Sequence, residues 1–249
     1  RGMAYGLKQK GYTVGGFKAY VTSDVLGGAG LSSSASYEVM IGTILSGLFH
    51  SMEIDPVLIA QIAQFAENVY FGKPCGLMDQ MACSVGGMIH IDFENVKTPI
   101  VERVEVDFET FEHSLCIVDT KGDHADLTPD YAAIPAEMKE VFDYDQLQDQ
   151  NFGEDVLRNV NEEDFLKEIP KVREKVGDRP VLRALHFFEE EKRVAGQVEA
   201  LRTHRFDEFL RLIQLSGDSS YKYLQNVYSP QHLQEQEMAI GLAVSQICL

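Results

Sequence analysis

Gly27-Gly28-Ala29-Gly30 gives way to Leu31-Ser32-Ser33-Ser34-Ala35-Ser36. From there Val39, Met40, Ile44, Leu45, Leu48 and Phe49 recur at helical spacing, which predicts a long helix beginning within the serine run. A glycine-rich loop running straight into a helix offers unpaired backbone N–H groups and the positive end of the helix dipole, and both favour a bound anion. Glycine suits the loop because it reaches positive φ without strain and lets a phosphate approach the backbone. The hydroxyls of Ser32, Ser33 and Ser34 can cap the helix, donate to phosphate oxygens or ligate Mg2+. A flexible turn with a serine cap is the simpler alternative. Neither a Gly-Lys-Ser/Thr phosphate loop nor the dinucleotide-binding glycine fingerprint is present.

Outward from this stretch, Phe17, Ala19 and Val21 alternate with Lys18, Tyr20 and Thr22 as a half-buried strand would. Asp55-Pro56 signals a helix start, with apolar positions continuing to about Tyr70 before Gly72, Pro74 and Gly76 break the pattern. Leu77 to Val85 fits a short helix. Strand character follows at Met88 to Phe93, Ile100 to Val106 and Ser114 to Asp119. The second half reads as helix-rich, with amphipathic helices over Pro180 to Thr203 and Phe206 to Leu215. It closes on an apolar, helix-like stretch from Met238 to Leu249. The expected fold class is therefore α/β, in the α+β sense, with a boundary near residue 110.

A chain of 249 residues, 45% hydrophobic, can build one large domain or two modest ones. Its formal net charge of −17 sets it against phosphate backbones and anionic membrane surfaces, so neither nucleic acid nor membrane is an expected partner. The most basic stretches, Lys171 to Lys175 and Arg202 to Arg211, are interleaved with acids and read as solvated helix faces. Cys75, Cys83, Cys116 and Cys248 follow no metal-binding spacing and no dense disulfide pattern, which fits a reduced, cytoplasmic compartment. No segment has the order of a signal peptide, and no apolar run approaches the roughly 18 residues of a membrane span.

Two acids stand out for chemistry. Glu67 lies near the C-terminal end of a predicted helix, and Asp79 opens another after a loop studded with Gly72, Pro74 and Gly76. Taken alone, Glu67 reads as a surface acid and Asp79 as an N-terminal acid favoured by the helix dipole. His124 beside Asp123 and Asp126 raises a metal site as a further option, though no other residue at ligand spacing supports it. Arg183-Ala184-Leu185-His186 with Glu190 and Arg193 reads as structural.

The string Gly28-Ala29-Gly30-Leu31-Ser32-Ser33-Ser34-Ala35-Ser36 resembles the ATP-binding motif of the GHMP kinases in its galactokinase form. Leu26 stands where that family usually has proline, which touches the loop's entry and leaves the phosphate cradle intact. Ala66-Glu67-Asn68 and Gly72-Lys73-Pro74-Cys75-Gly76-Leu77-Met78-Asp79-Gln80 resemble the galactokinase segment that carries a Mg2+-binding glutamate and a catalytic aspartate, spacing included. His124 to Tyr131 resembles a stretch whose tyrosine hydrogen-bonds the sugar, although the flanks Asp123, Asp126 and Ala132-Ala133-Ile134 differ.

The resemblance implies a two-domain GHMP kinase fold with its active site in the inter-domain cleft. Residues 1–110 would form part of the N-terminal, ATP-binding domain and residues 111–249 part of the helix-rich C-terminal domain. It implies that Gly28, Ala29, Gly30, Leu31, Ser32, Ser33 and Ser34 cradle ATP phosphates, and that Ser34 and Glu67 hold Mg2+. Asp79 would act on the C1 hydroxyl of galactose, while Gly76 and Tyr131 touch the sugar. The alternative for Tyr131 is an aromatic at a helix start, packed on the core. Two family elements, an N-terminal galactose signature and a C-terminal glycine-rich motif, are not found in these residues, so the chain reads as truncated at both ends. Exposed strand edges would then leave it poorly stable and inactive alone. A kinase for N-acetylgalactosamine or arabinose, and a non-catalytic galactose and ATP sensor, are the competing readings.

Overall fold

The computed structural model describes residues 1–25, 30–122, 127–144 and 157–248. The chain divides into two compact units, the first Arg1–Val104 and the second Glu105–Gly122 with the described residues from Leu127 onward.

In the first unit α1 (Gly2–Gln9), α2 (Ser33–His50) and α3 (Pro56–Phe65) share one core, in which Met3, Leu7, Val39, Leu45, Ile59 and Ile62 are buried. Glycine sets how closely these helices approach. A Cβ on Gly6 would lie 2.6 Å from Ile62 Cγ2, and one on Gly42 would lie 2.7 Å from Ile59 Cγ2 and 2.8 Å from Met3 Cε. Asp55 caps α3 by accepting from the Val57 N–H at 2.9 Å, with Pro56 in the first turn. The helix then continues as a π-helical turn, Ala66–Phe71.

Next comes α4 (Met78–Val85), whose Met81, with Leu77 at the N-cap, joins Ala60 in a second buried cluster. Ile89, Ile91 and Val101 of the hairpin β1 (Ile89–Asp92) and β2 (Ile100–Arg103) pack against that cluster. The two strands are antiparallel, with Ile89 opposite Arg103 and Asp92 opposite Ile100.

Helices dominate the second unit: α5 (Thr128–Phe142), α6 (Glu162–Val176), α7 (Asp178–Arg202), α8 (Phe206–Ser219) and α9 (Glu237–Cys248). Val141, Phe165, Val172, Val181, Ala184 and Phe188 form its core. Arg183, expected to be structural, is buried on α7, where it donates to the Leu224 carbonyl at 3.1 Å and pairs with Glu137 at 3.0 Å. His186, Ser219, Arg193, Glu190 and Ser216 form a side-chain hydrogen-bond network between α7 and α8. The basic stretches are indeed paired along their own helices, Lys171 with Glu168 and Arg211 with Glu208. No described helix is long and apolar enough to cross a membrane.

The mixed helix-and-sheet class agrees with expectation, but two of the expected strands do not form. Phe17 to Thr22 and Ser114 to Asp119 carry no strand, and Leu115, Ile117 and Val118 are exposed. Alternation supplies propensity only. A strand exists through ladder hydrogen bonds to a neighbour, and among the described residues neither segment has one. In the other direction, α1 was not anticipated, because Gly2 and Gly6 read against a helix until their close contacts are seen. Helices α5 and α6 carry Pro135 and Pro170 in their interiors, which hides their periodicity from a sequence reading.

Candidate active site

Helix α2 begins where the serine run predicts. Its first backbone bond runs from the Ser36 N–H to the Ser32 carbonyl at 2.9 Å, so the N–H groups of Ser33, Ser34 and Ala35 have no partner within the helix. Gly30 at φ +71° and Ser32 at φ 53° both take the left-handed region, and Ser32 makes no side-chain cap bond. Of the three uses open to the hydroxyls, capping by Ser32 is therefore not the one adopted. Gly28 and Ala29, at the centre of the expected phosphate cradle, lie outside the described residues, as does His124.

The reading of Glu67 as a surface acid is overturned. It is only 3% exposed, because α3 runs on through the π-helical turn and keeps position 67 in line with the buried Ile59 and Ala63. Single π-helical turns recur at functional sites because they re-aim a side chain without ending the helix. Here the turn faces Glu67 towards α2, and Ser34 Oγ donates to Glu67 Oε1 at 3.1 Å across 33 residues of sequence. The turn closes at Gly72, φ +84°, where the N–H groups of Gly72 and Lys73 both bond the Glu67 carbonyl. That closure brings Lys73 Nζ to 3.1 Å from the same Oε1.

The other carboxylate oxygen, Glu67 Oε2, accepts from Gln80 Nε2 at 3.0 Å. Gln80, on α4, is itself buried, and so is its acceptor Oε1, which no donor reaches among the described residues. Glu38 stands one helical turn beyond Ser34, and its Oε2 is likewise buried without a donor among the described residues. Burial, reinforced by the neighbouring Glu67 charge, pushes the Glu38 carboxyl up from 4.5 to about 7. Together with Lys73, these acids and Ser34 border a cavity of about 700 Å³ that is otherwise largely apolar, with Gly15, Phe17 and Ile41 in its wall.

The cluster is rich in oxygen acceptors and poor in donors. A hydroxyl and a carboxylate held together, with buried oxygens short of partners nearby, are the hard-oxygen donors that a small divalent cation takes. Among the described residues no group of three or more His, Cys, Asp or Glu is set to hold a metal. A cation between Ser34 and Glu67 would thus keep few protein ligands, as Mg2+ does beside phosphates.

Asp79 lies in the first turn of α4 and is exposed, as expected of a helix N-terminal acid. The loop before it is held by Asn68, which clamps the backbone of Cys75. Gly76 follows directly and is exposed. Tyr131 lies in the second unit, in the first turn of α5 and 60% exposed, so it starts a helix without packing on a core. Sequence reasoning gave no role to Glu38, Lys73 or Gln80. For Glu38 a signal was available, since it shares the buried stripe of α2 with Ala35, Gly42 and Leu45.

Residues 1–87 match the family described as GHMP kinases N terminal domain. A galactokinase of Thermotoga neapolitana is 32% identical over 218 residues, covering 88% of this chain and 57% of the relative. Over residues 1–87 the chain therefore resembles the GHMP kinases. A galactokinase of Pyrococcus furiosus is 43% identical over 98 residues, 39% of this chain and 28% of the relative. The crystal structure of Lactococcus lactis galactokinase complexed with galactose shares the fold, with a TM-score of 0.59 at 21% identity over 89% of this chain and 55% of that one. The chain thus spans little more than half the length of the relatives that it matches over most of its own residues.

Proposed function

We propose that this chain carries much of the catalytic apparatus of a galactokinase, which transfers the γ-phosphoryl group of ATP to the C1 hydroxyl of galactose. The observation carrying this reading is the 3.1 Å hydrogen bond between Ser34 and Glu67, formed beside the N–H groups at the start of α2 that have no partner within the helix. It unites the two residues that the resemblance assigns to one cation, inside the segment that matches the family.

The N–H groups at the start of α2, with Gly28 to Ser33 before and within it, receive phosphate oxygens. Ser34 and Glu67 hold Mg2+, which when bound neutralises phosphate charge. Asp79 orients the sugar's C1 hydroxyl and takes its proton as the oxygen attacks the γ-phosphorus; the bond to the β-phosphate oxygen breaks and ADP leaves. Gly76 offers its backbone to the sugar, and Tyr131 a hydroxyl. Residues 1–110 and 111–249 are assigned to the N-terminal and C-terminal domains of the two-domain fold. The four cysteines, all free, suit a cytoplasmic setting, and the net charge of −17 argues against nucleic acid as a partner.

The test is sugar-dependent ADP release by the whole protein with galactose, N-acetylgalactosamine, arabinose or glucose, comparing wild type with Asp79→Asn. Turnover with galactose that the substitution abolishes supports the reaction and the role of Asp79. Preference for another of these sugars would move the substrate and keep the chemistry. Binding of Mg-ATP and galactose without turnover would replace the kinase by a sensor.

A further inference from the structure

Glu67 Oε1 is contested. It accepts from Ser34 Oγ at 3.1 Å and meets Lys73 Nζ, also at 3.1 Å. The ammonium therefore stands against the very oxygen that, on the proposed function, a divalent cation would take. We propose that Lys73 is the site's own counter-cation, an ammonium that holds Glu67 Oε1 when no metal is bound and competes with a divalent cation for it.

Three features support this role. First, the site is acidic: Glu67 is almost fully buried, and Glu38 carries a buried oxygen that no donor reaches among the described residues. A buried carboxylate is costly unless a cation or several donors offset it, and Lys73 is the cation that the structure gives to Glu67.

Second, Lys73 is placed by the backbone. Gly72 takes φ +84°, and the Lys73 N–H bonds the Glu67 carbonyl at 3.0 Å, so the chain folds back and returns residue 73 over residue 67. Glycine at 72 favours this, because a side chain there would strain the left-handed backbone.

Third, the Lys73 side chain can leave. It is 54% exposed, against 4% for Glu67. An ammonium on a flexible four-carbon stem is a mobile point charge. It can move into solvent, or towards phosphate at the start of α2, while Glu67 stays fixed by Ser34 and Gln80.

This inference rests on the proposed role of Glu67 as a metal ligand, and the experiment separates the two. Binding of Mn2+ alone to the whole protein is followed by the loss of the free-ion electron paramagnetic resonance signal, with no nucleotide and no turnover. Wild type is compared with Lys73→Met, Lys73→Arg and Glu67→Gln. Removing one unit of positive charge beside the ligand should tighten Mn2+ binding roughly threefold to tenfold in Lys73→Met. Lys73→Arg, which keeps the charge, should stay within about twofold of wild type, and Glu67→Gln should lose the site.

If Lys73→Met binds Mn2+ no more tightly than wild type while Glu67→Gln abolishes binding, the counter-cation role falls and the metal site stands. If Glu67→Gln leaves binding unchanged, both fall. Lys73→Met leaves the buried Glu67 without its ammonium, so without metal it should melt below wild type, whereas Lys73→Arg, which keeps the charge, should melt near wild type and gives the second reading.

Discussion

Asn68 grips the backbone of Cys75 from both sides, its Oδ1 accepting from the Cys75 N–H at 2.6 Å and its Nδ2 donating to the Cys75 carbonyl at 3.1 Å. Gln64 Nε2 adds a second bond to that carbonyl at 3.3 Å. Both amides are carried by the helix and π-helical turn that present Glu67, so the loop leading to Gly76 and Asp79 is referenced to the same rigid element as the proposed metal ligand.

Replacing Asn68 by Asp keeps the acceptor and turns the donor into a second oxygen facing the Cys75 carbonyl. The expected cost is about 1–3 kcal/mol of stability, for a lost bond and a repulsive contact, read as a lower denaturant midpoint. Because the loop positions Asp79, kcat should fall by more than the ATP KM changes. A loss confined to the ATP KM would show that Asn68 serves the nucleotide and not the loop.

Gly72 meets nothing within 4 Å where a Cβ would stand, so Gly72→Ala is not a clash. Its cost is the left-handed backbone, about 1 kcal/mol, and Gly72→Asn should recover part of it, since asparagine tolerates that region. Thermal melting of the three proteins checks the order Gly, then Asn, then Ala.

Gly42 is the opposite case. Its φ is ordinary, but a Cβ would come within 2.7 Å of Ile59 and 2.8 Å of Met3. Alanine would gain nearly 1 kcal/mol of helix propensity, yet overpacking of this kind typically costs 1–3 kcal/mol. Gly42→Ala should therefore destabilise overall, and Gly42→Ala with Ile59→Ala, which removes the contacting Cγ2, should cost less than the sum of the two single substitutions.

How far the site was legible follows from these same residues. The helical spacing of α2 was plain, because apolar positions recur regularly behind the serines. The burial of Glu67 was equally present in the spacing, since 59, 63 and 67 fall on one stripe, and Glu38 shares the stripe of α2 in the same way. A charged residue on a buried stripe is a signal that residue type alone conceals.

What spacing does not carry is the meeting of the stripes. That Ser34, Glu38, Gln80 and Lys73 converge on Glu67 depends on how α2, α3 and α4 pack. The same limit governs the strands. Phe17 to Thr22 has the right alternation, yet a strand is settled by its partner and not by its own pattern.

The stability of the two units should respond to pH with opposite signs. Glu38 in the first unit has its carboxyl pushed up from 4.5 to about 7, chiefly by burial. Between those values the folded chain binds more protons than the unfolded one, so this group's contribution is fully present below pH 4.5 and is lost as pH rises through about 7.

His186 in the second unit is displaced the other way: burial drives its imidazole below the usual 6.5, with Arg193 adding to the shift and Glu190 opposing it. Its contribution is present above pH 6.5 and is lost as pH falls through the lowered value. Denaturant midpoints measured from pH 4.5 to 8 should accordingly show the alkaline loss weakened in Glu38→Gln, which mimics the protonated carboxyl. The acid loss should be weakened in His186→Asn. If Glu38→Gln leaves the alkaline limb unchanged, Glu38 does not titrate in this range.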